Sequence, residues 1–182
     1  MANADERLRE AARDGSESEL KLLLNLGCSA LTQDKYGHTA LMLAAICGNE
    51  ACTSLLLPMS DALATSADGW TALMYAAWNG HEDCVRILLS VSDALAQSGD
   101  GMTALMHAVS SGDEACVQLL LPVSNVLAED HEGFTARAMS SKMGYESITQ
   151  LIDAYALAQS EKVDLDGAVN LGASRGRASR RV

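Results

Sequence analysis

A length of 182 residues, 48% of them hydrophobic and 20% charged, is close to that of one domain and apolar enough to pack, which argues against wholesale disorder. Only 4% of the residues are aromatic and two are Pro, a composition that disfavours a sandwich or barrel and favours helices built from Ala, Leu and Met. The formal charge of -11 is unevenly divided: Arg175, Arg177, Arg180 and Arg181 follow the last acidic residue, Asp166, so an acidic body that repels phosphate backbones carries a short basic end.

The first segment, MANADERLREAARDG, is charged throughout and lacks the apolar run of a secretory signal or the character of a transit peptide. No stretch approaches the ~18 consecutive apolar residues that a membrane span requires. Cys28, Cys47, Cys52, Cys84 and Cys116 are odd in number and show no CxxC spacing, which argues against a disulfide framework or a zinc site and for a reducing, cytoplasmic setting, with a nuclear one also open.

From residue 37 onward the chain copies itself. Thr39-Ala-Leu-Met42 recurs as Thr71-Ala-Leu-Met74 and Thr103-Ala-Leu-Met106, and Thr135-Ala136 keeps half of it, each copy 32 residues after the last. A glycine precedes each Thr by two positions (Gly37, Gly69, Gly101, Gly133), and another follows it by nine (Gly48, Gly80, Gly112, Gly144). Each unit predicts a tight turn, a short helix capped by Thr, a glycine break, and a second helix such as that made by the segment 80–89, with Glu82 and Asp83 in its first turn favouring the dipole. Helices this short do not stand alone and must stack.

The pattern GxTALMxAAxxGH…VxxLL resembles the ankyrin repeat, a unit of ~33 residues made of a β-turn and two helices with the signature T-P-L-H-x-A. The resemblance covers residues 4 to 158 approximately. It implies an all-α solenoid of stacked helix-turn-helix units with projecting β-turn fingers, whose concave face binds another protein. Five units are expected, at about 4–33, 34–65, 66–97, 98–129 and 130–160, with the outer two as caps and residues 161–182 as a flexible basic tail.

Three departures from the family pattern carry expectations. Met42, Met74 and Met106 replace the signature His, so the cap that residue makes should be absent and methionine packing should take its place. One residue is missing after the second helix in the segments beginning at Pro58, Ser90 and Pro122; Pro58 and Pro122 should end their helices, and Ser-Asp or Ser-Asn should form a side-chain-bonded turn. Arg137, Ser140 and Ser141 replace the Leu and the alanine pair, as suits a face that no further repeat covers.

The resemblance places contact residues in the finger around each turn glycine and on the first helix before the inter-helix glycine. Mapped onto this sequence, the candidates are Tyr36, His38, Ile46, Trp70, Trp78, Asn79, Met102, Ser110 and Phe134. Both tryptophans and the single Phe fall among them, as expected of hot spots, although rings that merely pack finger against helix would look the same. Tyr75 and His107 follow the Met in their helices and read as partly buried framework.

The expected function is therefore a non-catalytic, monomeric scaffold, adaptor or inhibitor that binds a partner protein with a basic face, without nucleic acid, membrane, metal or cofactor. Cys52, Cys84 and Cys116 are in phase and read as small core residues. The competing reading is a regulatory subunit or small thiol-dependent enzyme using Cys84 and His81, or Cys47, but Gly-His is ordinary at this point of the repeat, and no GxGxxG, HExxH or GxSxG motif is present. The RGRASRRV end reads as a solvated terminus, a basic docking peptide or a kinase site at Ser179.

Overall fold

A computed structural model describes the backbone of residues 4–175 and the side chains of residues 4–161. Ten α-helices form five successive pairs: α1 (Ala4–Asp14) with α2 (Glu17–Asn25), α3 (Ala40–Ile46) with α4 (Glu50–Leu56), α5 (Ala72–Trp78) with α6 (Glu82–Leu88), α7 (Ala104–Ser111) with α8 (Glu114–Leu120), and α9 (Ala136–Met143) with α10 (Glu146–Arg175). The first helices of successive pairs pack side by side in one row, and the second helices form a row behind them. The chain is an all-α repeat solenoid; its only β-type pairings among the described residues are isolated bridges, Gln97 with Thr103 and Glu129 with Thr135.

Each first helix begins where the sequence places it. The Thr39, Thr71, Thr103 and Thr135 hydroxyls accept hydrogen bonds from the backbone N–H groups of Met42, Met74, Met106 and Ala138, satisfying one of the donors that a helix start leaves open. Methionine packing does replace the signature His, since Met42, Met74 and Met106 are buried. Two of them do more: Met74 Sδ accepts from the Thr71 N–H at 3.5 Å, and Met106 Sδ from the Thr103 N–H at 3.4 Å. These thioether contacts stay within the start of each helix and do not reach a neighbouring loop.

Four of the five first helices are only seven or eight residues long, from α3 through α9, and are held by what they bury. Leu41, Leu73 and Leu105 occupy equivalent buried positions, each contributing on the order of 2 kcal/mol. Ala44, Ala45, Ala76, Ala77 and Ala108 are equally buried, and their small side chains let neighbouring first helices approach closely. Cys52, Cys84 and Cys116 sit in the second row as the 32-residue spacing predicts, all buried.

The turns after the second helices follow the sequence reading. Pro58 and Pro122 lie in single 3₁₀ turns, Leu57–Met59 and Leu121–Val123, that end α4 and α8. The Asp61, Asp93 and Asn125 side chains then accept from the N–H two residues on, at Leu63, Leu95 and Leu127.

The C-terminal end departs from expectation twice. Arg137 and Ser141 are exposed as predicted, but Ser140 is buried, its hydroxyl donating to the Arg137 carbonyl and lying 2.8 Å from Thr149 Oγ1. Helix α10 covers that side of α9, and the Arg137 guanidinium forks onto the Asp153 carboxylate across the seam, at 2.5 and 2.9 Å. In addition, α10 continues through Arg175, where a flexible tail was expected from residue 161. Its sequence is rich in Ala and Leu and free of Pro, so no proline stops it, although Gly167 and Gly172 fall within it. Residues 176–182, with Ser179, lie outside the described residues.

Candidate functional site

Each finger closes on itself through two backbone hydrogen bonds: the N–H groups of Asp34, Ser66, Ser98 and Asp130 donate to the carbonyls of His38, Trp70, Met102 and Phe134, and those of Gly37, Gly69, Gly101 and Gly133 donate to the carbonyls of Asp34, Ser66, Ser98 and Asp130. Fingers then join their neighbours, with Ala67 N–H donating to the Tyr36 carbonyl, Gly99 N–H to Asp68 and His131 N–H to Asp100. A side-chain amide adds to this at both ends of the row, Gln33 to the Thr65 carbonyl and Gln97 to the Glu129 carbonyl. The result is a ribbon of mutually bonded turns that carries Tyr36, His38, Trp70, Met102 and Phe134, while Ile46, Trp78, Asn79 and Ser110 lie at the ends of the first helices.

Four of the nine candidates lie in one aromatic strip. Tyr36 meets His38 at 5.8 Å between ring centroids, His38 meets Tyr75 at 5.5 Å, and Tyr75 meets Trp70 at 5.0 Å. Trp70 then contacts Trp78 edge-on at 5.8 Å and meets His107 at 3.9 Å with the rings tilted by 41°. The strip crosses three repeats, a range in which aromatic pairs add roughly 1 kcal/mol each beyond burial. Tyr36 is 57% exposed and Trp78 is 44% exposed, whereas Trp70 is only part-exposed. Trp70 therefore packs finger against helix while keeping part of its ring at the surface, and the two rings flanking the strip are the more exposed.

Tyr75 and His107, which sequence reasoning placed in the framework, are what holds the strip together. They are equivalent by the 32-residue period, and each reaches the serine of its own finger: Tyr75 donates to Ser66 Oγ at 3.1 Å, and His107 Nε2 lies 3.3 Å from Ser98 Oγ. The His38 ring extends the first of these into a chain, 3.1 Å from the Tyr75 hydroxyl through Nε2 and 3.2 Å from Asp34 through Nδ1. The paired spacing of Ser66 with Ser98 and of Tyr75 with His107 is visible in the sequence, but that each pair touches is not.

Local fields follow from these contacts. Burial draws the Asp34 carboxyl upward, but backbone N–H groups of His38 and Tyr36 together with the His38 ring outweigh it and hold the group below the usual carboxylate range. Asp100 is likewise held low against its burial by Ser98, by backbone N–H groups and by His107. Burial pushes the Tyr75 phenol up, the Ser66 bond opposes this, and the Asp68 and Asp34 charges add to it. His107 is fully buried and drops to about 4 through desolvation, against a smaller pull from Asp100.

The remaining candidates are dispersed. Ser110 and Phe134 line a separate hollow of about 370 Å³ with Met139 and Met143, where the Lys142 ammonium lies 4.1 Å from the Phe134 ring centroid. Met102 is half-buried against the core. Asn79 donates to the Tyr75 carbonyl, capping α5. Ile46 lends its carbonyl to His81 Nε2 at 3.0 Å, and Asn49 makes the equivalent reach to the carbonyls of Ala12 and Arg13. The His81 ring thus ties one repeat to the preceding one.

That tie bears on the thiol chemistry. The partner of Cys84 Sγ is Thr53 Oγ1 at 3.5 Å, not His81, and burial pushes the thiol away from its reactive form, as it does for Cys52 and Cys116. Cys47 is exposed and Cys28 is intermediate. Alkylation of the folded protein is expected to modify Cys47 and then Cys28, leaving Cys52, Cys84 and Cys116 unlabelled until denaturant is added. Mass mapping of the labelled peptides checks this, and rapid labelling of Cys84 would restore the case for a nucleophile. Among the described residues no cluster of His, Cys, Asp or Glu is arranged to hold a metal ion, and no helix is long and apolar enough to cross a membrane.

Stacked helix pairs with bonded fingers define a repeat protein whose surface, rather than a cleft, carries recognition. The family model for ankyrin repeats matches in three copies over residues 8–95 and 90–162, and the chain belongs to that family. Its members are generally protein–protein interaction modules and typically not enzymes. No curated protein matches the chain.

Proposed function

We propose that this chain is a non-catalytic, monomeric interaction module that docks a partner protein with a basic face on its finger and first-helix surface. The observation that carries the reading is the aromatic strip: rings from three consecutive repeats are in contact, and those at its two ends, Tyr36 and Trp78, stay exposed where the core does not need them. Exposed aromatics beside a packed centre are the anchors of protein interfaces. The charge of -11 favours a basic partner and makes association weaken with salt. The cysteines, free in the structure, fit a reducing compartment, and a cytoplasmic location follows as part of the proposal.

The test uses the two exposed rings, because truncating the part-buried Trp70 would also disturb its contact with His107. A partner captured by the wild-type chain should bind the Tyr36→Ala/Trp78→Ala variant at least ~30-fold more weakly, as expected for the loss of about 2 kcal/mol at a hot spot. Circular dichroism should show both proteins equally helical. Undiminished capture by the folded variant would move the site to the opposite face or to residues 176–182.

A further inference from the structure

Between the fingers of the third and fourth repeats lies an open groove of about 780 Å³ lined by Asp68, Trp70, Tyr75, Gly99 and Asp100. Its chemistry is one-sided. Among the described residues no lysine or arginine lines it. The Asp68 carboxylate is exposed and has no partner among them. Asp100 engages Ser98 and the Met102 N–H through Oδ1 alone, leaving Oδ2 open. Lys35 and Lys142 lie over the Tyr36 and Phe134 rings, neither of which lines the groove.

The aromatic wall senses that charge. Asp68 and Asp34 both disfavour ionisation of the Tyr75 phenol, so the negative field of the fingers converges on the rings. An electron-rich aromatic face between two carboxylates is complementary to a cation held flat against it. A guanidinium satisfies both demands: it stacks on an indole or phenol through its plane and presents fixed N–H donors to carboxylates on either side. An ammonium meets only the charge and retains its hydration more tightly.

We infer that this groove, bounded by Asp68, Trp70, Tyr75 and Asp100, is a receptor for the arginine side chain of a partner protein's exposed basic segment. The assignment rests on the interaction surface proposed above and names the group that the surface reads. The groove is one subsite of the larger face; the exposed Trp78 ring lies beyond the Trp70 side, 5.8 Å from it between centroids. Arginine enters between the fingers, and neighbouring apolar residues of the same partner contact the free rings.

The probe is the peptide acetyl-Ser-Gly-Arg-Gly-Ser-amide, titrated into the isotope-labelled full-length chain and followed by amide and indole N–H chemical shifts. Saturable shifts are expected at the Trp70 indole and at the amides of Asp68, Gly69 and Gly99. The same peptide with Lys should bind roughly threefold more weakly and that with Gln should not bind. Asp68→Asn should weaken the arginine peptide about three- to fivefold, the range for a partly exposed charge pair, and Asp68→Lys should abolish binding. Because the Asp68 carboxylate holds nothing in the fold, both variants should melt as the wild type does.

Equal binding of the Arg and Gln peptides, or shifts confined to the Phe134 hollow, would overturn the assignment. Binding that emerges only after residues 176–182 are removed would also overturn it, because the occupant would then be the chain's own arginines. The two proposals fail separately. A captured partner lost by Tyr36→Ala/Trp78→Ala, yet retained by Asp68→Lys and not displaced by the arginine peptide, leaves the interaction surface intact and removes the arginine site. Arginine-peptide binding at Trp70 that survives in a chain capturing no partner does the reverse.

Discussion

Lowering the pH from 7 to 4 is expected to destabilise the fold by roughly 3 kcal/mol through one side chain, His107. The ring is fully buried, its centroid 3.9 Å from that of Trp70, and its Nδ1 has no hydrogen-bond partner among the described residues. Burial therefore holds it neutral down to about 4 in the native state, with Asp100 offsetting only part of the effect, whereas an unfolded chain protonates histidine near 6.5. Between those two values the unfolded state binds the extra proton, so stability is intact above about 6.5 and falls as the pH drops toward 4. Asp34 and Asp100, held below the usual carboxylate range, lose their contribution only at lower pH and do not mimic this window. Urea unfolding at intervals from pH 7 to 4 measures the slope. His107→Tyr should abolish it, since it places in the fourth unit the residue that the third unit uses to reach its finger serine. A wild-type chain equally stable at pH 6.5 and 4.5, or a variant with an unchanged slope, would refute the role of His107.

The second large effect concerns two glycines at equivalent positions in the finger turns of different repeats. Gly37 and Gly133 hold φ values of +80° and +81°, in a region that costs a residue with a side chain about 1–2 kcal/mol. They differ in what stands next to them. A Cβ at Gly37 would lie 2.7 Å from the Ala67 backbone nitrogen, whereas one at Gly133 would meet nothing within 4 Å. Gly133→Ala is thus expected to lose about 1–2 kcal/mol. Gly37→Ala should lose roughly 3 kcal/mol, because it also displaces the following finger and breaks the Ala67 N–H to Tyr36 carbonyl bond. Denaturant midpoints of the two variants measure the difference, which is the contribution of finger stacking. Equal losses would mean that the fingers are not coupled through their backbones.

Much of the architecture was legible because the features that specify it are local and periodic. Thr39, Thr71, Thr103 and Thr135 cap their helices because a Thr before an apolar run has an N–H three residues on to accept from, and that relation needs no knowledge of the neighbouring repeat. Pro58 and Pro122 terminate helices for a reason equally contained in the chain. The phase of Cys52, Cys84 and Cys116 placed all three in the core, since equivalent positions of a stacked unit have equivalent surroundings.

The site was legible only as a set of positions. Its division into an aromatic strip, a separate Phe134 hollow and a tie from His81 to Ile46 depends on which side chain an adjacent repeat supplies. His107 and Tyr75 share a register, yet one is buried under Trp70 while the other reaches His38 of the preceding unit. Ser140 shows the same limit at the end of the stack: its place in the pattern suggests an open face, but α10 covers it and gives its hydroxyl a partner in Thr149. Periodicity written in the residues fixes the backbone, the caps and the core, because these repeat with the chain. The recognition surface arises from contacts between repeats, where neighbours differ, and only their packing brings Trp70 and Tyr75 together with the carboxylates of Asp68 and Asp100 around one groove.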